Sequence, residues 1–273
     1  MTLCIAAACR DEKGEPRIVV CSDSWEQTDS AGGHIAHKED YIGHGWRCLL
    51  AGEISKAEDF AATCRSVLKP PEFTYNNIFD KLNEASAKHK EKLAKRLIEM
   101  RLGISFDRFL KRGEQELTLE ARNRALYELE RIDFGCELIV FGFIVDWPVP
   151  QIFSINSHGE VSHNQNFATI GTGSEIAEAM LYLRQQYSQR TIRETLYVLF
   201  EAGMLAHMSN APGVGPPSGI YLMEPTTDGN IKQHIIKREA VDVLVEYLKN
   251  YGPKRGLKLD KIGVDSFKPE SEE

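Results

Sequence analysis

The chain has 273 residues, 42% hydrophobic and 27% charged, with a formal net charge of −7. That balance is globular, and the length supplies a sizeable core without staples. It argues against general nucleic-acid binding, which needs a basic footprint. No apolar run reaches the ~20 residues of a bilayer span, and no signal peptide is recognisable, so no membrane role and a cytoplasmic setting are expected.

The first elements form a hairpin. Leu3 to Cys9 and Arg17 to Ser22 are short apolar runs joined by the turn-type segment DEKGEP. Both are nearly continuously apolar, which predicts strands covered on both faces. SAGGH reads as a flexible loop. Two further strands are predicted at His37–Ile42 and Trp46–Ala51, with Gly52 at the turn that follows. ISKAEDFAATCRSVLK has helical spacing, with Ile54, Ala57, Ala61, Cys64 and Leu68 inward. Lys69-Pro70-Pro71 stops it.

Residues 76–132 read as a long helical region broken near Gly103 and Gly113. It carries 13 Lys and Arg against 10 Asp and Glu. Pairs such as Glu84/Lys88 and Glu91/Lys95 lie at i,i+4 with the acid first, the pattern of a solvated helix face.

Strands then return. CELIVFGFIV has the look of a buried strand, and QIFSINSHGEVSH that of two strands around Ser157-His158-Gly159. NFATIG leads into the helix of GTGSEIAEAMLYLRQQY, with Ile176, Ala179, Met180 and Leu183 inward. Thr191 to Met208 is a second helix, followed by the rigid loop NAPGVGPPSG. Ile220–Glu224 and Ile231–Ile236 form a hairpin, and Glu239–Asn250 a last helix. Blocks of strands and blocks of helices imply an α+β fold of mostly antiparallel sheets. Two facing sheets with helix layers outside satisfy every apolar face. This gives one domain over residues 1–250 and a polar tail over 251–273.

Several familiar sites are absent. The six cysteines (Cys4, Cys9, Cys21, Cys48, Cys64 and Cys136) form no C-x-x-C pair and read as buried free thiols in a reducing compartment. GTGSEIA has only part of a dinucleotide fingerprint: Ile176 stands at the third glycine, and Glu175 sits where a pyrophosphate would bind. His34, His37 and His44 define no metal set. No cofactor is called for.

Thr2 remains. Met1 is normally trimmed before a small second residue, which would leave Thr2 at the mature terminus with a hydroxyl and a free α-amine. Such an amine, with a pKa near about 7.7–8.0, can serve as the base that activates the hydroxyl. A nearby cation keeps the amine neutral, and an oxyanion needs a donor. Asp23 ends the second strand, Lys38 begins the next pair and Gly52 ends it. A meander can bring those three strand ends beside residue 2.

These pieces resemble a proteasome-type β subunit of the N-terminal-nucleophile hydrolases, in the bacterial group that includes HslV and the ancestral β-subunit-like proteins. The matching segments are TLCI, VVCSDS around Asp23, Lys38, LAGEISKAED, ATIGTGS and PSGIYL, in family order from residue 2 to about 236. The resemblance implies a four-layer αββα sandwich. It implies Thr2 as nucleophile, Lys38 as activating cation held by Asp23, and the Gly52 N–H as oxyanion donor. Thr172 and Ser218 match supporting serines, and Leu50 and Ile54 fall where the family lines its specificity pocket. It further implies threonine-type peptidase activity on peptides or unfolded proteins, a homo-oligomeric ring or spiral, and by analogy an ATP-dependent unfoldase partner. The chain also departs from the pattern. The family's second aspartate has no clear match, Asn210 being nearest; Trp25 replaces a common arginine; and the 76–132 region is longer. A catalytically inactive assembly protein and a small-molecule amidase on the same fold remain as alternatives.

Overall fold

The computed structural model describes residues 2–23, 25–28, 31–34, 38–43, 45–68, 75–144, 149–209 and 213–252. The chain divides into two compact units, one ending at Ile236 and the other starting at Lys237.

The first unit opens with β1 (Cys4–Arg10), β2 (Pro16–Asp23), β3 (Trp25–Thr28), β4 (Ala31–His34), β5 (Glu39–Gly43) and β6 (Trp46–Gly52). Four helices follow: α1 (Ile54–Val67), α2 (Tyr75–Leu102), α3 (Phe106–Glu116) and α4 (Leu119–Glu130). Then come β7 (Cys136–Phe143), β8 (Pro150–Ile155), β9 (Val161–His163), β10 (Phe167–Ile170), α5 (Ser174–Leu183) and α6 (Ile192–Met208). The hairpin β11 (Pro217–Pro225) and β12 (Ile231–Ile235) closes the unit. The second unit contains α7 (Arg238–Tyr251).

The strands make two five-stranded antiparallel sheets, ordered β10-β1-β2-β11-β12 and β5-β6-β7-β8-β9. The alternation along each strand explains the layering. In β1, Cys4, Ala6 and Ala8 join Ile18 and Val20 of β2, and Leu49, Ile139, Phe141 and Ile152 of the other sheet, in one core. Ile5, Ala7 and Cys9 are buried on the opposite face, where α6 packs. In β6 and β7 the outward set is Trp46, Cys48, Leu50, Leu138 and Val140, which forms a second core with Phe60, Cys64, Ile78 and Leu82 of α1 and α2. The result is the expected α+β fold, two antiparallel sheets between helix layers. All six cysteines are buried and free. Among the described residues, no helix is long and apolar enough to cross a membrane.

Three local expectations are corrected. Residues 31–34 of SAGGH are strand β4, paired with β3 in a two-stranded ribbon. Gly113 does not break a helix. It lies inside α3, buried, and even a Cβ there would meet Phe109 and Leu117 only at ordinary contact distance. The break falls at Leu117–Thr118, because the Thr118 hydroxyl accepts the Ala121 N–H and starts α4. Gly103, by contrast, takes φ +67 and does end α2. In α5 the buried residues are Ala177, Met180 and Leu181, while Leu183 is 75% exposed. Gly173, the N-cap of α5, lies close to α6, where a Cβ would come 3.2 Å from Ala206, and α5 packs along α6. That rolls the inward stripe away from the one read from spacing.

Candidate functional site

Asp23 is the last residue of β2, and its N–H donates to Leu3 O at 3.1 Å. The hairpin therefore continues past Cys4 and sets Asp23 beside residues 2 and 3. Asp23 Oδ1 accepts from the Thr2 hydroxyl at 2.7 Å, from Leu3 N at 2.9 Å and from Lys38 Nζ. Asp23 Oδ2 accepts from Gly215 N at 3.0 Å. Four donors thus converge on one carboxylate. The Asp23 and Lys38 side chains are 2% and 7% exposed, so this is a buried ion pair with its remaining lone pairs filled.

Lys38 arrives from the second sheet. Its carbonyl accepts Leu50 N at 2.7 Å, and Leu50 O in turn lies 3.5 Å from the Cys4 thiol, which donates to it. The start of β1, the end of β6 and Lys38 interlock at one end of the sandwich. Burial pushes the Cys4 thiol up to about 12, with Lys38 pulling it down and Asp23 pushing it up. Cys4 therefore stays protonated beside Thr2 and is not a competing nucleophile.

The third wall is the turn between β10 and α5. β10 pairs with β1 as far as Cys4↔Ile170, so residues 171–173 fold back over Thr2. Thr2 N donates to Thr172 Oγ1 at 3.2 Å, and that hydroxyl lies 3.3 Å from Thr2 O, to which it donates. Gly171 takes φ +93, and a Cβ there would sit 2.3 Å from Thr2 O. Only glycine lets the turn approach this closely. The glycines that suggested part of a dinucleotide fingerprint serve to grip residue 2.

The remaining sequence-derived positions lie as follows. Gly52 ends β6, exposed, at φ +96 and opposite Cys136. Leu50 is buried in the core against α1 and α2, and Ile54 begins α1 half-buried. Ser218 sits in a bulge of β11 between Pro217 and Gly219, exposed and without a hydrogen bond to Asp23 or Thr2. The structure thus brings together Thr2, Asp23, Lys38 and Thr172, and leaves Ser218 outside their hydrogen-bonded cluster. Asn210 lies outside the described residues.

Two contributors carry no motif. Gly215 acts through its amide, and Val214 beside it is tied by its carbonyl to His207 Nδ1 at 2.9 Å. Glu137 Oε2 accepts Gly171 N at 2.9 Å. Its only sequence mark is being the one acid in CELIVFGFIV. Among the described residues, no group of three or more His, Cys, Asp or Glu is arranged to hold a metal ion. No protein-family model matches this chain, and no curated protein matches it either.

Proposed function

We propose that the protein is a threonine-type amidohydrolase acting on peptides or unfolded chains, with Thr2 as its N-terminal nucleophile once Met1 is removed. The observation that carries this reading is the shared Asp23 Oδ1, which accepts both the Thr2 hydroxyl and the Lys38 ammonium. In this reading the Thr2 α-amine, steadied by Thr172, takes the hydroxyl proton as Oγ1 attacks the substrate carbonyl carbon. The Lys38 charge favours loss of that proton and keeps the amine neutral. The oxyanion forms toward the Gly52 N–H. Collapse breaks the C–N bond, and the α-ammonium returns the proton to the leaving amine. Water, deprotonated by the same amine, then hydrolyses the ester and restores Thr2. A homo-oligomer in a reducing, cytoplasmic setting goes with this reading, as does an unfoldase partner.

One observation favours the rival reading, an inactive assembly protein of the same fold: with Met1 attached, Thr2 is only 4% exposed. Intact-mass analysis followed by incubation with a β-lactone separates the two. The peptidase reading expects a chain starting at Thr2, acylated on that residue and unlabelled in Thr2→Ala. Retained Met1, or a trimmed and folded chain that takes no label, favours the assembly role.

A further inference from the structure

We propose that Glu137 is a positioning residue that sets the Thr2 amine, an inference that rests on the peptidase reading above. β7 alternates between the two cores: Leu138 and Val140 face α1 and α2, while Ile139, Phe141 and Phe143 face the other sheet. By that alternation Glu137 belongs to the inter-sheet face, at its end, where it is half-buried and replaces a hydrophobe with a carboxylate. Its Oε2 spans the gap between sheets and takes the Gly171 N–H at 2.9 Å. Gly171 has no freedom to move toward Thr2, because its α-carbon already faces the Thr2 carbonyl in a close approach. The adjacent Thr172 hydroxyl is the group that meets Thr2 N. The sequence of contacts is therefore Glu137, the Gly171 amide, the Thr172 hydroxyl and Thr2 N, which becomes the α-amine once Met1 is removed. The first holds the last without touching substrate.

A half-buried acceptor on a single backbone amide is replaceable by any neutral acceptor of the same reach. Glu137→Gln keeps an oxygen on Gly171 N, whereas Glu137→Ala removes it and frees the turn. A misplaced amine weakens the chemical step more than binding, since small errors in the placement of reacting groups cost rate.

The test uses a peptide epoxyketone on the full chain trimmed to Thr2. Its ketone takes the Thr2 hydroxyl and its epoxide is opened by the Thr2 amine, so ring closure reads the placement of both groups. Glu137→Ala is expected to slow the saturating rate of adduct formation about tenfold, with half-saturation within about twofold of wild type. Glu137→Gln is expected to restore that rate to within about twofold. The Gly171 amide proton resonance, read by NMR, should move upfield in the alanine variant and stay near its wild-type position in the glutamine variant. A wild-type rate in Glu137→Ala overturns the proposal, as does an unmoved Gly171 resonance. So does a glutamine variant that folds normally and reacts as slowly as alanine. A trimmed wild-type chain that forms no adduct defeats the peptidase reading itself, and the positioning role with it.

Discussion

The Thr2 end of the sandwich and the helical excursion of residues 75–130 hold their charges in opposite ways. At Thr2, one acid and one base lie buried, and their partners come from residues 2, 3, 38 and 215. Each contact joins segments far apart in sequence. Three pairs along α2 are local: Lys81–Glu84, Lys88–Glu84 and Lys95–Glu91, at i,i+3 or i,i+4 and largely open to water. The first arrangement depends on the tertiary fold and the second only on a helix. The same chemistry should therefore have very different worth in the two places.

The contrast breaks most sharply at Asp23. Asp23→Ala removes the buried carboxylate that pairs with Lys38 and takes the acceptor from the Leu3 and Gly215 amides. Breaking one side of a buried pair costs about 3–5 kcal/mol, and equilibrium denaturation should read a loss of that size. Pairing it with Lys38→Met should recover part of it, because the buried ammonium is then gone as well. A loss of under about 1 kcal/mol in the single variant would mean that water reaches Lys38 freely, as at a surface pair.

Both regions are partly legible in the sequence, for different reasons. Strand ends can be read from where apolar runs stop, so Asp23, Lys38 and Thr2 can be gathered by assuming a meander, although Lys38 in fact arrives from the second sheet and not from a neighbouring strand. The i,i+4 pairs of α2 need no tertiary knowledge at all. What escapes is whatever acts through backbone. Gly215 donates to Asp23 from a loop whose sequence says only that it is irregular, and no side-chain pattern tells which amide will point inward. Faces escape too where a helix is apolar nearly all round. In α5, Ile176, Met180, Leu181, Tyr182 and Leu183 leave the spacing ambiguous, and packing against α6 decides. Gly113 misled because glycine in a helix reads as a stop, when here α3 runs on through it to Glu116.

His89 sharpens the comparison, because it is a titratable group of the excursion placed inside rather than on its surface. It is 1% exposed on α2, with ring centroids 4.8 Å from both Phe60 and Phe134, and its Nδ1 lies 3.3 Å from Thr63 Oγ1. Burial pushes its pKa below the usual histidine range, with Asp59 opposing and Lys92 assisting. The fold thus favours neutral His89, while the unfolded chain takes up a proton below about pH 6.5. Its contribution is complete above that value and is lost as pH falls through it, by at most about 1.4 kcal/mol per pH unit. Denaturation of wild type and His89→Phe from about pH 7 to 5 should show the steeper decline in wild type. Parallel curves would mean that the imidazole is solvated in the fold.

The smallest effect is expected at Glu84, although its carboxyl is held down to about 2 by hydrogen bonds from Lys81 and Lys88. The low value reports that the ionised form is well matched to two ammonium groups. It does not report what the fold would lose, because both lysines stand in water and are rehydrated as soon as the acid is gone. Added salt screens whatever attraction remains. Glu84→Gln should leave the denaturation midpoint unchanged within error, with any residual shift vanishing at high salt. The anchoring of α2 rests instead on Ile78, Leu82 and Ala85, which are fully buried in the core shared with α1 and the second sheet. A loss at Glu84 comparable to that at Asp23 would reverse this assignment: the excursion would then be held to the sandwich by its charges, and its buried stripe would be only filler.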